Sequence, residues 1–183
     1  MTSRLLRAFL TIVIGSGAPL VLAQGAPDQP SVTVRGQTYT PRSILARNMG
    51  TPEDQTTAFP PHKIIGNVYY VGTKTLTAFL ITTPQGHILI NSTYERNVRT
   101  IEKSVSDLGF KFSDIRILLA THAHDDHQEG DALLKELTGA QVMVMQEDVA
   151  AAQAIKPGGK THPIDRMLHD GEEVTLGGTT LVA

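Results

Sequence analysis

The chain has 183 residues, of which 40% are hydrophobic and 19% charged, an ordinary globular composition with enough length for one core-forming domain. Its 16 Lys and Arg against 18 Asp and Glu, spread along the sequence, give a formal net charge of -2, which excludes a basic footprint for nucleic acid or anionic lipid. It contains no cysteine, which excludes a disulfide framework and a reactive thiol.

Residues 1–23 have the three-part layout of an export signal. Arg4 and Arg7 precede an apolar stretch over 8–22, broken by Gly15-Ser16-Gly17 and Pro19, and Val21-Leu22-Ala23 supplies small-residue cleavage chemistry. The unbroken apolar runs are too short to cross a bilayer comfortably. The expectation is cleavage after Ala23, a periplasmic or secreted product, and no stable membrane anchor thereafter. Residues 24–61 are rich in Pro, Gln, Thr and Gly, with only short apolar groups such as Val32 and Val34, and predict an irregular arm. The folded domain is expected over 62–183.

Within it, residues 67–71, 75–82 and 87–90 are β-branched or aromatic and are punctuated by Gly72 and by Pro84-Gln85-Gly86, which predicts consecutive strands joined by tight turns. Ser92-Thr93-Tyr94-Glu95 matches a capping box at a helix start. Val98, Ile101, Val105 and Leu108 then recur on one helical face, Glu95 and Arg99 are spaced as an i,i+4 pair, and Gly109 supplies a stop. Residues 115–120, apolar apart from Arg116, read as a strand covered on both faces, completing a β-α-β unit. Further on, 131–138 reads as a short helix stopped by Gly139, 141–145 as a strand, 147–155 as an Ala-rich helix, and 173–176 with 179–182 as a hairpin around Gly177-Gly178.

The residues that carry chemistry follow the buried strand at its carboxyl end, where α/β architectures leave a crevice for ligands. Thr121-His122-Ala123-His124-Asp125-Asp126-His127 contains H-x-H-x-D-H. A strand leaving a sheet projects alternate residues the same way, so His122 and His124 are expected to aim at one point. Asp126 and His127, past the turn, are free to face a second position nearby. Imidazole nitrogens and a carboxylate oxygen are zinc ligands, and a loop leaves coordination positions open for water, the mark of a catalytic site. Capping of the next helix would explain one Asp and none of the His residues. Asp125 is assigned to a cap or a supporting role, and His62, His87, His162 and His169 are expected to be solvated loop residues.

On these residues the sequence resembles the metallo-β-lactamase superfamily, and the runs Gly86 to Glu95, Thr121-His122-Ala123-His124 and Leu137-Thr138-Gly139-Ala140 are similar to class B β-lactamases of subclass 3. The likeness spans roughly residues 59–183. It implies an α/β fold, the αββα sandwich, of which this chain would hold the first half and the start of the second. It also implies two Zn2+ ions per complete site, with His122 and His124 on the first and Asp126 and His127 on the second. A third ligand for each ion, a histidine in the family, would lie beyond Ala183, so the chain is expected to be truncated and to leave one sheet face without its full partner layer.

The activity implied is opening of a β-lactam ring by a hydroxide bridging the ions, with Asp126 orienting it, and with this form inactive or impaired. Another hydrolase of the same fold, acting on lactones or thioesters, and a non-catalytic metal-binding fragment are the alternatives. The partner expected is a small-molecule β-lactam, and the oligomeric state is left open.

Overall fold

The computed structural model describes residues 30–183; the expected export signal lies outside them. The described residues divide into a unit ending at Arg42 and a second over residues 43–183. In the first, β1 (Val32–Val34) and β2 (Gln37–Tyr39) form an antiparallel hairpin. A helix, α1 (Pro41–Met49), follows. The stretch expected to be irregular therefore carries secondary structure. Three-residue strands and a helix of low apolar content, with no buried residue in any of them, give little periodic signal to read.

The second unit is built on a seven-stranded sheet in the order β3-β4-β5-β6-β7-β8-β9. β3 (His62–Ile65), β4 (Val68–Tyr70), β5 (Phe79–Thr83) and β6 (Gly86–Ile90) pair antiparallel in sequence. β7 (Ile115–Leu119), β8 (Gln141–Met145) and β9 (Arg166–Leu168) continue from β6 in parallel. Parallel neighbours need crossovers, and three helices belong to them: α2 (Val98–Asp107), α4 (Asp131–Thr138) and α5 (Val149–Ala154). Between β7 and α4 lies one short helix, α3 (Asp125–Gln128). Gly109 and Gly139 end α2 and α4 with φ of 85° and 73°, backbone that a residue with a Cβ adopts only under strain.

Strand alternation sorts the core into two clusters. Leu80, Leu89, Leu118, Val142 and Val144 pack with Val98, Ile101 and Val105 of α2, Leu134 of α4 and Ala152 of α5. On the opposite face Ile81, Ile88, Ile117 and Met143 pack with Leu168, Val174, Leu176 and Leu181. The last three belong to a separate hairpin of β10 (Glu173–Leu176) and β11 (Thr179–Val182). Helices, sheet and hairpin make three layers, the first half of a sandwich and the start of the second. The second face, expected to lack its full partner layer, is partly covered by the hairpin: Ile88 is fully buried, and Ile81, Ile117 and Met143 nearly so. Each such side chain stabilises the fold by about 1.5–3 kcal/mol relative to exposure.

Four local expectations are corrected. β5 begins at Phe79, not at 75, because Thr73 and Leu76 close a turn through Thr73 N–H to Leu76 O at 2.9 Å and Leu76 N–H to Thr73 Oγ1 at 3.0 Å. No capping box forms: Tyr94 caps the 3-10 turn Glu95–Asn97 without a side-chain bond, and Ser92 Oγ is committed to Asp131 instead. Arg99 pairs with Glu102 at 2.7 Å, not with Glu95. His87 and His162 are buried, at 7% and 3% exposure, rather than solvated. His87 lies inside β6 with its ring edge-on to Phe110. No helix among the described residues is long and apolar enough to cross a membrane.

Candidate metal centre

β7 stops at Leu119, and the chain turns before it reaches the first histidine. The His124 N–H donates to the His122 carbonyl at 3.1 Å, so residues 122–124 form a tight turn and not a continued strand. The expected alternation is thus corrected: a turn, not a pleat, brings these two side chains together. His124, extended at φ −119° and ψ 154°, precedes α3, and its carbonyl accepts the N–H groups of His127 and Gln128 at 3.0 Å each. Asp125 is the exposed first residue of α3 and caps nothing, since His124 holds the cap position with no side-chain bond.

The predicted side chains touch in pairs. The His122 ring lies 4.4 Å from that of His124 and 4.0 Å from that of His127, centre to centre. His127 Nε2 is 3.6 Å from Asp126 Oδ2, and both side chains are about one-fifth exposed. Thr121 Oγ1 lies 3.2 Å from Nδ1 of His122 and 3.1 Å from Nδ1 of His127, which occupies the δ nitrogens and leaves the ε nitrogens of both rings for other work. Burial holds His127 below the ordinary imidazole pKa, and His122 and His124 add to this, while Asp126 opposes it. The neutral form, the one that binds metal, is thereby favoured.

This donor set fits zinc in kind, with three imidazoles and one carboxylate at the surface of a loop. As they stand, no three such side chains among the described residues surround a common point. Two imidazoles on one tetrahedral zinc, with nitrogens at about 2.0–2.1 Å, have ring centres about 5 Å apart, so the observed rings are about 1 Å too close. Beside the cluster lies a cleft of about 450 Å3, lined by Tyr94, Ala123, His124, Asp125, Asp126 and the Ala151–Ala154–Ile155 side of α5, within the size range of small-molecule sites.

The residues that hold this loop were not legible as such. Asn91, fully buried at the end of β6, accepts the Thr121 N–H through Oδ1 at 3.0 Å and donates from Nδ2 to Thr77 O at 3.3 Å. The Ser92 and Thr93 N–H groups donate to the His127 carbonyl at 3.0 and 3.1 Å, and Gly130 N–H returns a bond to Thr93 O at 2.9 Å. Gln128 Nε2 reaches the His122 carbonyl at 3.3 Å from a buried position. Asp131, also buried, takes the Ser92 hydroxyl at 2.5 Å and lies 3.1 Å from His162 Nε2. One signal was available: parallel pairing of 88–90 with 117–119 sets Asn91 beside the loop, and Asn tolerates the positive φ of 66° found there.

Comparison with known proteins gives a consistent family. A family model described as the metallo-beta-lactamase superfamily matches residues 71–182. Among solved structures, the chain is similar to the native FEZ-1 metallo-beta-lactamase of Legionella gormanii, with 47% identity and a TM-score of 0.66 over 69% of this chain and 53% of that one. It is similar to BJP-1, a subclass B3 metallo-beta-lactamase of Bradyrhizobium japonicum, at 36% identity and a TM-score of 0.65 over 71% and 53%. It is also similar to LRA-12, a class B3 di-zinc metallo-beta-lactamase from an Alaskan soil metagenome, at 37% and 0.66 over 73% and 54%. The chain spans about half the length of these relatives.

Proposed function

The chain belongs to the metallo-β-lactamase superfamily, and on that premise we propose that His122, His124, Asp126 and His127 are its share of a two-zinc centre in an enzyme that opens β-lactam rings. The observation that carries the proposal is the contact of the His122 ring with both His124 and His127, beside the Asp126 carboxylate. Its similarity to class B3 enzymes, one of them di-zinc, supports the substrate class and the metal.

In this reading His122 and His124 serve one ion, and Asp126 and His127 the other. Zinc, when bound, supplies Lewis-acid chemistry, polarising a carbonyl oxygen and activating water at neutral pH. The chain's own residues then have distinct tasks. Thr121 Oγ1, bonded at Nδ1 of two rings, fixes their orientation and so which nitrogen each presents. Asp126, besides holding its ion, would accept a proton of the attacking water and so orient it. The adjoining cleft, with apolar Ala151, Ala154 and Ile155 on one wall and His124 and Asp126 on another, receives the substrate body while the reacting carbonyl stays at the polar wall.

The relatives are about twice as long, so the remaining ligands are proposed to come from sequence outside these residues, and the 183 residues alone to hydrolyse little. Export by residues 1–23 to the periplasm or the medium suits a substrate of this kind. Carbapenem hydrolysis and zinc content of the full-length protein, measured beside its His122→Ala variant, test the proposal. A variant that keeps both ends it.

A further inference from the structure

Ser92, Asp131 and His162 form a buried polar cluster next to the candidate centre. Their exposures are 0%, 1% and 3%. Ser92 Oγ–H donates to Asp131 Oδ1 at 2.5 Å, and His162 Nε2 lies 3.1 Å from Asp131 Oδ2. The His162 contact is not aimed as a hydrogen bond, and Nδ1 has no partner. The composition suggests a nucleophile triad, but the order is wrong for one. In a triad the imidazole sits beside the hydroxyl, whereas here the carboxylate does, and a buried Ser92 meets no substrate.

What the cluster does touch is the His127 carbonyl. Ser92 N–H and Thr93 N–H both donate to it, and Ser92 Oγ lies 3.4 Å away. Thr93 O accepts Gly130 N–H in return, so segments 92–93 and 127–130 clasp each other, and Asp131 follows at once. The clasp needs an awkward backbone. Asn91 and Thr93, on either side of Ser92, have φ of 66° and 57°, a region that a β-branched residue such as Thr93 adopts only when its surroundings enforce it.

A hydroxyl–carboxylate bond is short and directional, so it fixes the Ser92 rotamer and with it the strained turn. Burying Asp131 costs stability, since burial pushes its carboxyl pKa up against the pull of His162 and Ser92. A buried carboxyl and imidazole add little net stability over apolar side chains of similar volume, so what this pair supplies is a single conformation.

We propose that Asp131, with Ser92 and His162, is a positioning unit that fixes the His127 end of the ligand cluster. This rests on reading that cluster as a zinc centre. The unit acts through the backbone of His127 and touches neither metal nor substrate.

The test is a cobalt(II) titration of the full-length protein followed by visible absorption, with zinc competition for affinity, on the unaltered protein, Ser92→Ala, Asp131→Asn and Asp165→Asn. Asp165 ties β8 to α4 and makes no contact with His127, so its variant reports a purely structural loss. Ser92→Ala and Asp131→Asn are expected to bind cobalt 10–100-fold more weakly, the range for residues that orient metal ligands, and to show an altered spectrum at saturation. Asp165→Asn is expected to melt lower with affinity and spectrum unchanged. Should Asp131→Asn fail to fold, Ser92→Ala, which deletes one oxygen, decides. Unaltered affinity and spectrum in the Ser92 and Asp131 variants overturn this inference and leave the zinc reading standing. Failure of the unaltered chain to bind either metal removes both.

Discussion

Asn91 Oδ1 accepts the backbone N–H of Thr121 at 3.0 Å, joining the end of β6 to the first residue of the histidine loop. The same side chain donates to Thr77 O, and its own N–H donates to Leu119 O at 2.8 Å. Asn91→Ala deletes both side-chain bonds in a fully buried place and leaves Ala at positive φ. A loss of about 2–3 kcal/mol is expected from the stranded backbone groups. Asn91→Asp keeps the acceptor for Thr121 and, at a pH low enough to protonate the new carboxyl, can still donate to Thr77 O, so the two variants are compared there. Urea denaturation ranks the variants: an Ala variant as stable as the Asp one refutes the role given to Oδ1.

Gly130 is required for space and not for backbone freedom. A Cβ there would lie 2.8 Å from Val98 Cγ2 and 2.9 Å from Ser92 O, and the second of these is main chain that cannot swing away. Gly130→Ala is expected to cost about 1–3 kcal/mol through overpacking and to push the Ser92 turn off the His127 carbonyl. Faster amide exchange at Ser92 and Thr93, along with the lower melting temperature, is the expected signature. Unchanged exchange at those two amides would show that the clasp tolerates a methyl group.

The candidate site was legible because its four side chains fall within six residues, and local order suffices to bring such neighbours together. β6, α2, β7, α4 and β8 were legible for a related reason, since parallel strands buried on both faces write long apolar runs between amphipathic helices. The support of the site was hidden. Ser92 meets Asp131 39 positions away, and nothing local to either residue marks that pairing. Ser92 even carried a competing local signal, a capping box, which lost to the buried bond with Asp131. His162, flanked by Thr161 and Pro163, reads as loop by composition, and only the approach of its segment to α4 buries it. β3 and β9 escaped because edge strands of three or four residues, all exposed in β3 and mostly so in β9, show no alternation.

Metal loading gives a stability readout that needs no substrate. A ligand that binds only the folded state at 100 times its Kd adds about 2.7 kcal/mol. In a chain of this size each 1 kcal/mol moves Tm by about 2–4 °C, so zinc is expected to raise Tm by about 5–10 °C and a chelator to reverse it. His122 touches both other rings, so His122→Ala is expected to lose more of this shift than His124→Ala. Differential scanning calorimetry of the full-length protein with and without zinc checks both statements, and a Tm indifferent to zinc counts against the metal centre itself.

Asp165 makes the acid limb of stability predictable. Its carboxylate pairs with Lys135 of α4 and accepts the Val142 N–H of β8 at 2.8 Å. Partial burial works against the charge, but the Lys135 hydrogen bond, the Val142 N–H and the Lys135 charge together hold the carboxyl below its ordinary pKa. A folded pKa lower than the unfolded one means that the unfolded chain takes up protons first as pH falls. The contribution is therefore complete above the unfolded value of about 3.9 and disappears as pH drops through the folded value. Both partners are about one-third exposed, so solvent screening reduces the expected contribution to about 1 kcal/mol. Asp165→Asn should be less stable than the unaltered chain by this amount at pH 7 and nearly equal to it once the pH has fallen below the folded value. A stability difference that stays the same across that range would mean the clip between α4 and β8 owes nothing to the charge on Asp165.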